Sequence, residues 1–153
     1  MRRAFNLTRR FVRLPQDDRL LLAAALLWLT FARMAIVVLP FRRVGQLASR
    51  PVGTQGSSEP SQTAQSRRVC WAVAACARRV PWRAMCFEQG LAAHLMLRRG
   101  GVPSVLYFGA APDHVKGLAA HVWVRNGDVD VIGCEVASRF TVLTTFPPQV
   151  KEW

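Results

Sequence analysis

The longest apolar pattern in the chain covers residues 20–40, LLLAAALLWLTFARMAIVVLP. With the preceding LPQDD it predicts one long helix. Asp17 and Asp18 stand at its start, where carboxylates meet free N–H groups and the positive end of the dipole; Pro40 stops it. RRVGQLASR follows as a short second helix, and NLTRRFVR (residues 6–13) precedes both as a basic segment. Residues 51–66, PVGTQGSSEPSQTAQS, carry almost no apolar bulk and predict a flexible linker. Helical spacing returns in RRVCWAVAACARR (67–79), with Cys70, Val73, Ala74 and Ala77 on one buried stripe. Cys70 and Cys76 are read there as core residues. Another helix runs from Cys86 to Arg99, closed by RRGGVP, where Gly100 or Gly101 takes a left-handed cap and Arg98 and Arg99 suit the negative dipole end.

Beyond Gly101 the period changes. SVLYFGA reads as a strand, APDHVKGLAA as a polar loop, and HVWVR and DVDVI alternate about Asn126-Gly127, a two-residue hairpin turn. That turn sets Arg125 opposite Asp128, Trp123 opposite Asp130 and His121 opposite Ile132. RFTVLTTF supplies a last short strand. Helices followed by antiparallel strands predict an α+β domain, with helices packed on a small sheet. The organisation is then a basic helical segment over 1–50, a linker over 51–66 and a mixed domain over 67–153.

The run at 20–40 is long enough to span a bilayer, but Arg33 lies inside it, where a charge is costly. A helix buried in the protein or packed on a partner is the favoured reading, ahead of membrane association. A secretory signal is disfavoured because the run is long and begins after two aspartates. Apolar residues make up 51% of the chain and the formal charge is +12. Residues 1–50 hold ten arginines against two aspartates, so the first third suits an acidic partner or is a solvated arginine-rich surface. The four cysteines (Cys70, Cys76, Cys86, Cys134) follow no zinc spacing, and free thiols in a reducing cytoplasm are the simplest expectation.

PWRAMC places Cys86 at a helix start. Free backbone N–H groups and the dipole there favour thiolate, the attacking form of a cysteine, and can also hold an oxyanion. His94 is eight residues on, about 12 Å along the same helix, so the base would be His114, in a loop, or His121, on a strand; the strand gives the firmer geometry. Asp130 or Glu135 could orient that imidazole, with Gly133 hosting a bulge that turns Glu135 back. Trp82 and Trp123 stand between lining a site and filling a core, and Gln89 between supporting the site and covering a helix surface. On these residues alone Cys86 is open between nucleophile and core filler.

The W-R-x-x-C-x-x-Q stretch, L-R-R-x-G-x-P leading into a strand, A-H-x-W-V, and the terminal R-F-x-x-L occur in this order across 67–153. In these motifs the chain resembles the stand-alone leader peptidase of bacterial lasso-peptide biosynthesis, a group within the transglutaminase-like cysteine protease superfamily. The resemblance implies a papain-like protease core preceded by an N-terminal helical segment. It implies Cys86 as nucleophile, His121 as base and Glu135, with Asp130 as fallback, as the third member; Trp82 and Trp123 are the substrate-binding candidates beside them, each open to a core role. The superfamily's usual aspartate after the following strand is missing from VIGCEV. The implied substrate is a ribosomally made precursor peptide, presented by a separate leader-recognition protein, with a lasso cyclase acting afterwards. No cofactor or metal is implied, nucleotide dependence stays open, and no nucleic-acid partner is expected.

Two other classes compete. Another acyl-transfer enzyme, an amidase or transglutaminase, would use the same Cys/His chemistry. A non-enzymatic basic binding module would bind in a salt-dependent way and have no use for Cys86 and His121.

Overall fold

A computed structural model describes residues 14–51, 58–113, 115 and 117–149. Four helices come first: α1 (Gln16–Val38), α2 (Phe41–Ala48), α3 (Glu59–Ala77) and α4 (Cys86–Arg99). Strands β1 (Val105–Asp113), β2 (Gly117–Asn126) and β3 (Val129–Ile132) follow, then a 3-10 helix (Cys134–Arg139) and β4 (Thr141–Phe146). The sheet order is β3-β2-β1-β4, every neighbouring pair antiparallel. The architecture is the α+β arrangement expected, helices against a small antiparallel sheet.

One core joins these elements. Leu91, Ala92, Ala93 and Leu97 of α4 lie at 0% exposure, flanked by Ala25, Leu29 and Ala32 of α1, Ala72 and Val73 of α3, and Leu106, Val122 and Val124 of the sheet. Small residues let the helices approach closely. Gly90 is the tightest case: a Cβ there would meet Val122 Cγ1 at 2.8 Å, so any larger residue would push α4 off the sheet.

Several boundaries differ from those expected. α3 begins at Glu59, so the second half of the stretch read as linker is helical. Its composition misleads because the tertiary structure uses its polar groups: Ser66 is fully buried, donates to the Gln62 carbonyl at 2.8 Å and accepts from Asn126 Nδ2 at 3.4 Å. The buried stripe of α3 is Ser66, Val69, Ala72, Val73 and Ala75, leaving Cys70 and Cys76 half-buried beside it. The expected polar loop is mostly strand, since β1 and β2 pair out to Asp113↔Gly117. The second hairpin pairs Asn126 with Val129, putting Gly127, at φ +55°, and Asp128 in the turn. A bulge between Val124 and Arg125 then sets Arg125 opposite Asp130 and Val124 opposite Ile132. The expected pairs of Trp123 with Asp130 and His121 with Ile132 do not form. At the end of α4 it is Gly101, at φ +80°, that takes the left-handed conformation. The basic segment 6–13 lies outside the described residues.

α1 is long and apolar enough to cross a membrane by length and composition. In this fold it is two-faced. Ala25, Leu29, Ala32 and Ala35 are buried, while Leu20, Leu27, Phe31, Met34 and Val38, spaced along the other side, are 43–72% exposed. The arginine that interrupts the apolar run is not stranded: Arg33 Nη1 donates to Glu88 Oε1 of α4 at 2.7 Å. Residues 16–48 thus complete the core of the α4–sheet layer instead of standing apart from it.

Two polar staples tie α2 and its exit to α4. His94 is fully buried; its Nε2 donates to the Ala48 carbonyl at 2.8 Å, and Ser104 Oγ donates to its Nδ1 at 2.9 Å. Arg98 donates from Nε to the Arg50 carbonyl at 2.9 Å, again from Nη2 to the same oxygen, and from Nη1 to the Ser104 carbonyl at 3.2 Å. Burial, with the nearby Arg98 charge adding to it against the Ala48 bond, pushes His94 down to about 4. An unfolded chain would protonate this histidine near 6.5, so its contribution is complete above that pH and is lost as pH falls toward 4. The expected loss over that window is about 3 kcal/mol of unfolding free energy. Urea titrations at pH 7 and pH 4.5 measure it, and His94→Gln should flatten that part of the pH dependence.

Candidate active site

Cys86 is the first residue of α4, following an extended Met85 (φ −83°, ψ 172°) as N-cap. The first amides of a helix have no intrahelical acceptor, so Cys86 stands at the positive dipole end of α4. The turn is closed from its third residue. Glu88 Oε2 accepts the Met85 N–H at 2.9 Å, while Oε1 takes the Arg33 bond. Gln89 turns back to donate to the Ala84 carbonyl at 2.8 Å, so it supports the loop before Cys86 and is not merely a surface residue. Phe87 packs on Phe108 of β1 and Phe41 of α2, with ring centroids 6.0 and 6.1 Å apart.

His121 lies on β2 opposite Gly109 of β1. Side chains alternate across a strand. Val122 and Val124 face Gly90 of α4, so His121 and Trp123 face the other side of the sheet. There the imidazole packs against Trp123 (centroids 5.9 Å, planes 19° apart) and Phe140 (4.9 Å, 32°). Its Nε2 is 2.7 Å from the Gly133 carbonyl oxygen. A carbonyl only accepts, so Nε2 carries the proton and Nδ1 of the neutral ring keeps its lone pair.

The two residues come to the same end of the molecule. Gly100, at the end of α4, packs on Gln65 of α3, and the adjacent Ser66 bonds Asn126 at the end of β2. α4 and β2 therefore run the same way, and with Gly90 over Val122 the first turn of α4 is level with the His121 end of the strand. β3 pairs with β2 only from Val124 onward; beside His121 that edge is taken by Gly133, where a Cβ would meet the Val122 carbonyl oxygen at 2.7 Å, and by Phe140 against the ring. No hydrogen bond joins Cys86 Sγ to the imidazole; the sulfur's helix and the ring approach that edge from opposite faces. His114, the other base candidate, lies outside the described residues.

The carboxylates expected near His121 are occupied elsewhere. Asp130 accepts from Arg125 Nε at 2.8 Å. Glu135 is exposed in the 3-10 helix, near enough to Cys70 that its charge adds to burial in raising that thiol. Trp123, only 5% exposed, stacks on Tyr107 (5.5 Å, 4°) and backs the imidazole. Trp82 is half-buried, and its Nε1 is buried without a hydrogen-bond partner among the described residues. Cys134 donates to the Val124 carbonyl at 3.3 Å, and burial together with Asp130 pushes its pKa up to about 11, so it is a passive thiol. All four cysteines are free. Among the described residues no group of three or more His, Cys, Asp or Glu could hold a metal ion. The Arg33–Glu88 link and the Gly133 carbonyl were not found by sequence reasoning. The one signal available was that Arg33 is too costly in an apolar run to lack a partner.

Cys86 thus stands at a helix start and His121, its Nε2 bonded to a main-chain carbonyl, on the strand pair that follows, without direct contact between them. The profile of the transglutaminase-like superfamily matches residues 25–145, and the chain belongs to that superfamily. Its members are in general thiol enzymes, cysteine peptidases and acyltransferases among them. The match begins inside α1, consistent with α1 sharing the core. No match was found among curated proteins or among solved structures.

The Glu88 carboxylate, 3% exposed, relies on Arg33 for its countercharge. Arg33→Ala should cost roughly 2 kcal/mol, less than a fully buried pair because Arg33 is part-exposed. It should also slow alkylation of Cys86 by iodoacetamide roughly two- to five-fold, as an uncompensated anion faces the helix start. Arg33→Lys should recover most of both. Denaturant titration and peptide-level mass spectrometry read the two effects.

Proposed function

We propose that this protein is a cysteine peptidase that removes the leader from a ribosomally made lasso-peptide precursor, with Cys86 as nucleophile and His121 as base. The observation that carries the reading is the first turn of α4, which starts with a cysteine at the end of the fold where His121 donates Nε2–H to a carbonyl and keeps an Nδ1 lone pair. The order of W-R-x-x-C, L-R-R-x-G-x-P and A-H-x-W-V motifs supports the substrate class.

In this reading the Cys86 proton passes to His121 Nδ1, and the sulfur adds to the carbonyl carbon of the last leader residue. The backbone N–H groups at the start of α4 hold the oxyanion. The C–N bond then breaks, and His121 returns its proton to the leaving amine, the new N-terminus of the core peptide. A water gives a proton to His121 and adds to the thioester. The C–S bond breaks, releasing the leader as a carboxylic acid and restoring the thiol. Trp82, beside the nucleophile, lines the substrate path; Trp123 shields the imidazole from behind. The imidazole lies on the face of β2 away from α4, so the proton transfer from Cys86 requires substrate binding to bring the ring and the first turn of α4 to one side.

The partner is a separate leader-recognition protein, and the outward stripe of α1 (Leu20, Leu27, Phe31, Met34, Val38) offers it an apolar face. The freed amine is what a lasso cyclase consumes. The route needs no cofactor, and a reducing cytoplasm suits its four thiols. An acyltransferase of the same superfamily would run the first half of this sequence and pass the acyl group to an amine in place of water.

Cys86→Ala and His121→Ala, each incubated with precursor and leader-recognition protein, should lose leader release by at least about 10³-fold, read by mass spectrometry. Native-rate release by either variant would overturn the mechanism. A leader–amine adduct formed when a primary amine is added would assign the chain to transfer instead of hydrolysis.

A further inference from the structure

We infer that the group orienting the His121 imidazole is the main-chain carbonyl of Gly133, and that neither Asp130 nor Glu135 takes part. This deepens the proposed function and rests on His121 being its base.

The three candidates are separable by what each touches. Gly133 O accepts from His121 Nε2 at 2.7 Å. Asp130 is held by Arg125 at 2.8 Å, four residues along β2 from His121. Glu135 is exposed, and its resolved electrostatic neighbour is Cys70 of α3. A thiol enzyme needs its base in one tautomer, proton on the far nitrogen and lone pair toward the sulfur, and the orienting group exists to fix that choice. A carbonyl does so as surely as a carboxylate, since it can only accept; what it lacks is a full charge to stabilise the imidazolium.

The backbone is built around this carbonyl. Gly133 has φ +75°, a left-handed conformation that disfavours side chains. A Cβ there would meet the Val122 carbonyl oxygen at 2.7 Å and His121 Nε2 itself at 3.4 Å. The residue is thus pressed against the strand that carries the imidazole, and its carbonyl is aimed at the ring. Trp123 and Phe140 also pack against the ring. The bond to Gly133 sets its rotation. Gly133 is a positioning residue, which accounts for a superfamily member whose VIGCEV stretch lacks an aspartate.

The test begins on the free, full-length protein labelled with ¹⁵N-histidine, with His121→Asn used to assign the signal. Long-range ¹H–¹⁵N correlations should show the His121 ring as the Nε2–H tautomer. The same tautomer should persist in Asp130→Ala and Glu135→Ala, with leader cleavage within about two-fold of the native kcat and an unchanged pH–rate profile. Gly133→Ala should mix the tautomers and lower kcat by about ten-fold or more with little change in KM. An Nδ1–H tautomer in the native protein would overturn the inference. So would a tautomer change, or a loss beyond about ten-fold with a displaced pH profile, in either carboxylate variant. Should Gly133→Ala fail to fold, the native and carboxylate-variant spectra decide alone. Because the tautomer is read without substrate, native activity in Cys86→Ala would remove the proposed reaction and leave this geometry standing, whereas an Nδ1–H ring would remove this geometry and the Nδ1 route, while loss of leader release in Cys86→Ala and His121→Ala would still uphold a Cys86/His121 peptidase.

Discussion

A single buried carboxylate, Glu88, holds the candidate site together. It closes the first turn of α4 by accepting the Met85 N–H and it draws Arg33 of α1 onto the same spot. At 3% exposure it needs a countercharge. That need converts an apolar helix from the first third of the chain into a part of the site. Without α1, the helix start that presents Cys86 would carry an uncompensated anion two residues from the sulfur.

The far end of α4 is fixed by hydrogen bonds to main-chain carbonyls. His94 and Arg98 reach the last carbonyls of α2 and its exit, and Ser104 joins both. α4 is thus pinned at its start through an ion pair, along its length by Gly90 against Val122, and at its end through buried polar bonds. A helix held at three points keeps its first residue at a set height beside β2. The imidazole is fixed just as firmly on the other face, by two aromatic rings and one carbonyl. Beside the ring, where β3 has stopped pairing, the edge of β2 is taken by Gly133.

Much of this was readable beforehand because it is local. α4 starts at Cys86 and ends at Arg99 as the Pro81 break and the RRGG signal require, α1 runs up to the stop at Pro40, and His121 lies on a strand. Boundaries failed where a distant partner outweighed composition. Residues 59–66 look like linker until Ser66 is buried beside Asn126. The second hairpin slipped because a bulge after Val124, invisible in an alternating pattern, resets every pair toward the turn.

By itself the sequence determined most of the elements, with Cys86 at a helix start and His121 on a strand, since capping, proline stops and period-two alternation act within a few residues. Which face His121 takes, which group its Nε2 meets and what becomes of Arg33 were decided only in the tertiary structure. Each depends on a bond between segments 12 to 55 residues apart. A main-chain carbonyl in particular leaves no mark in a sequence: every residue has one, and only the fold determines where it is aimed.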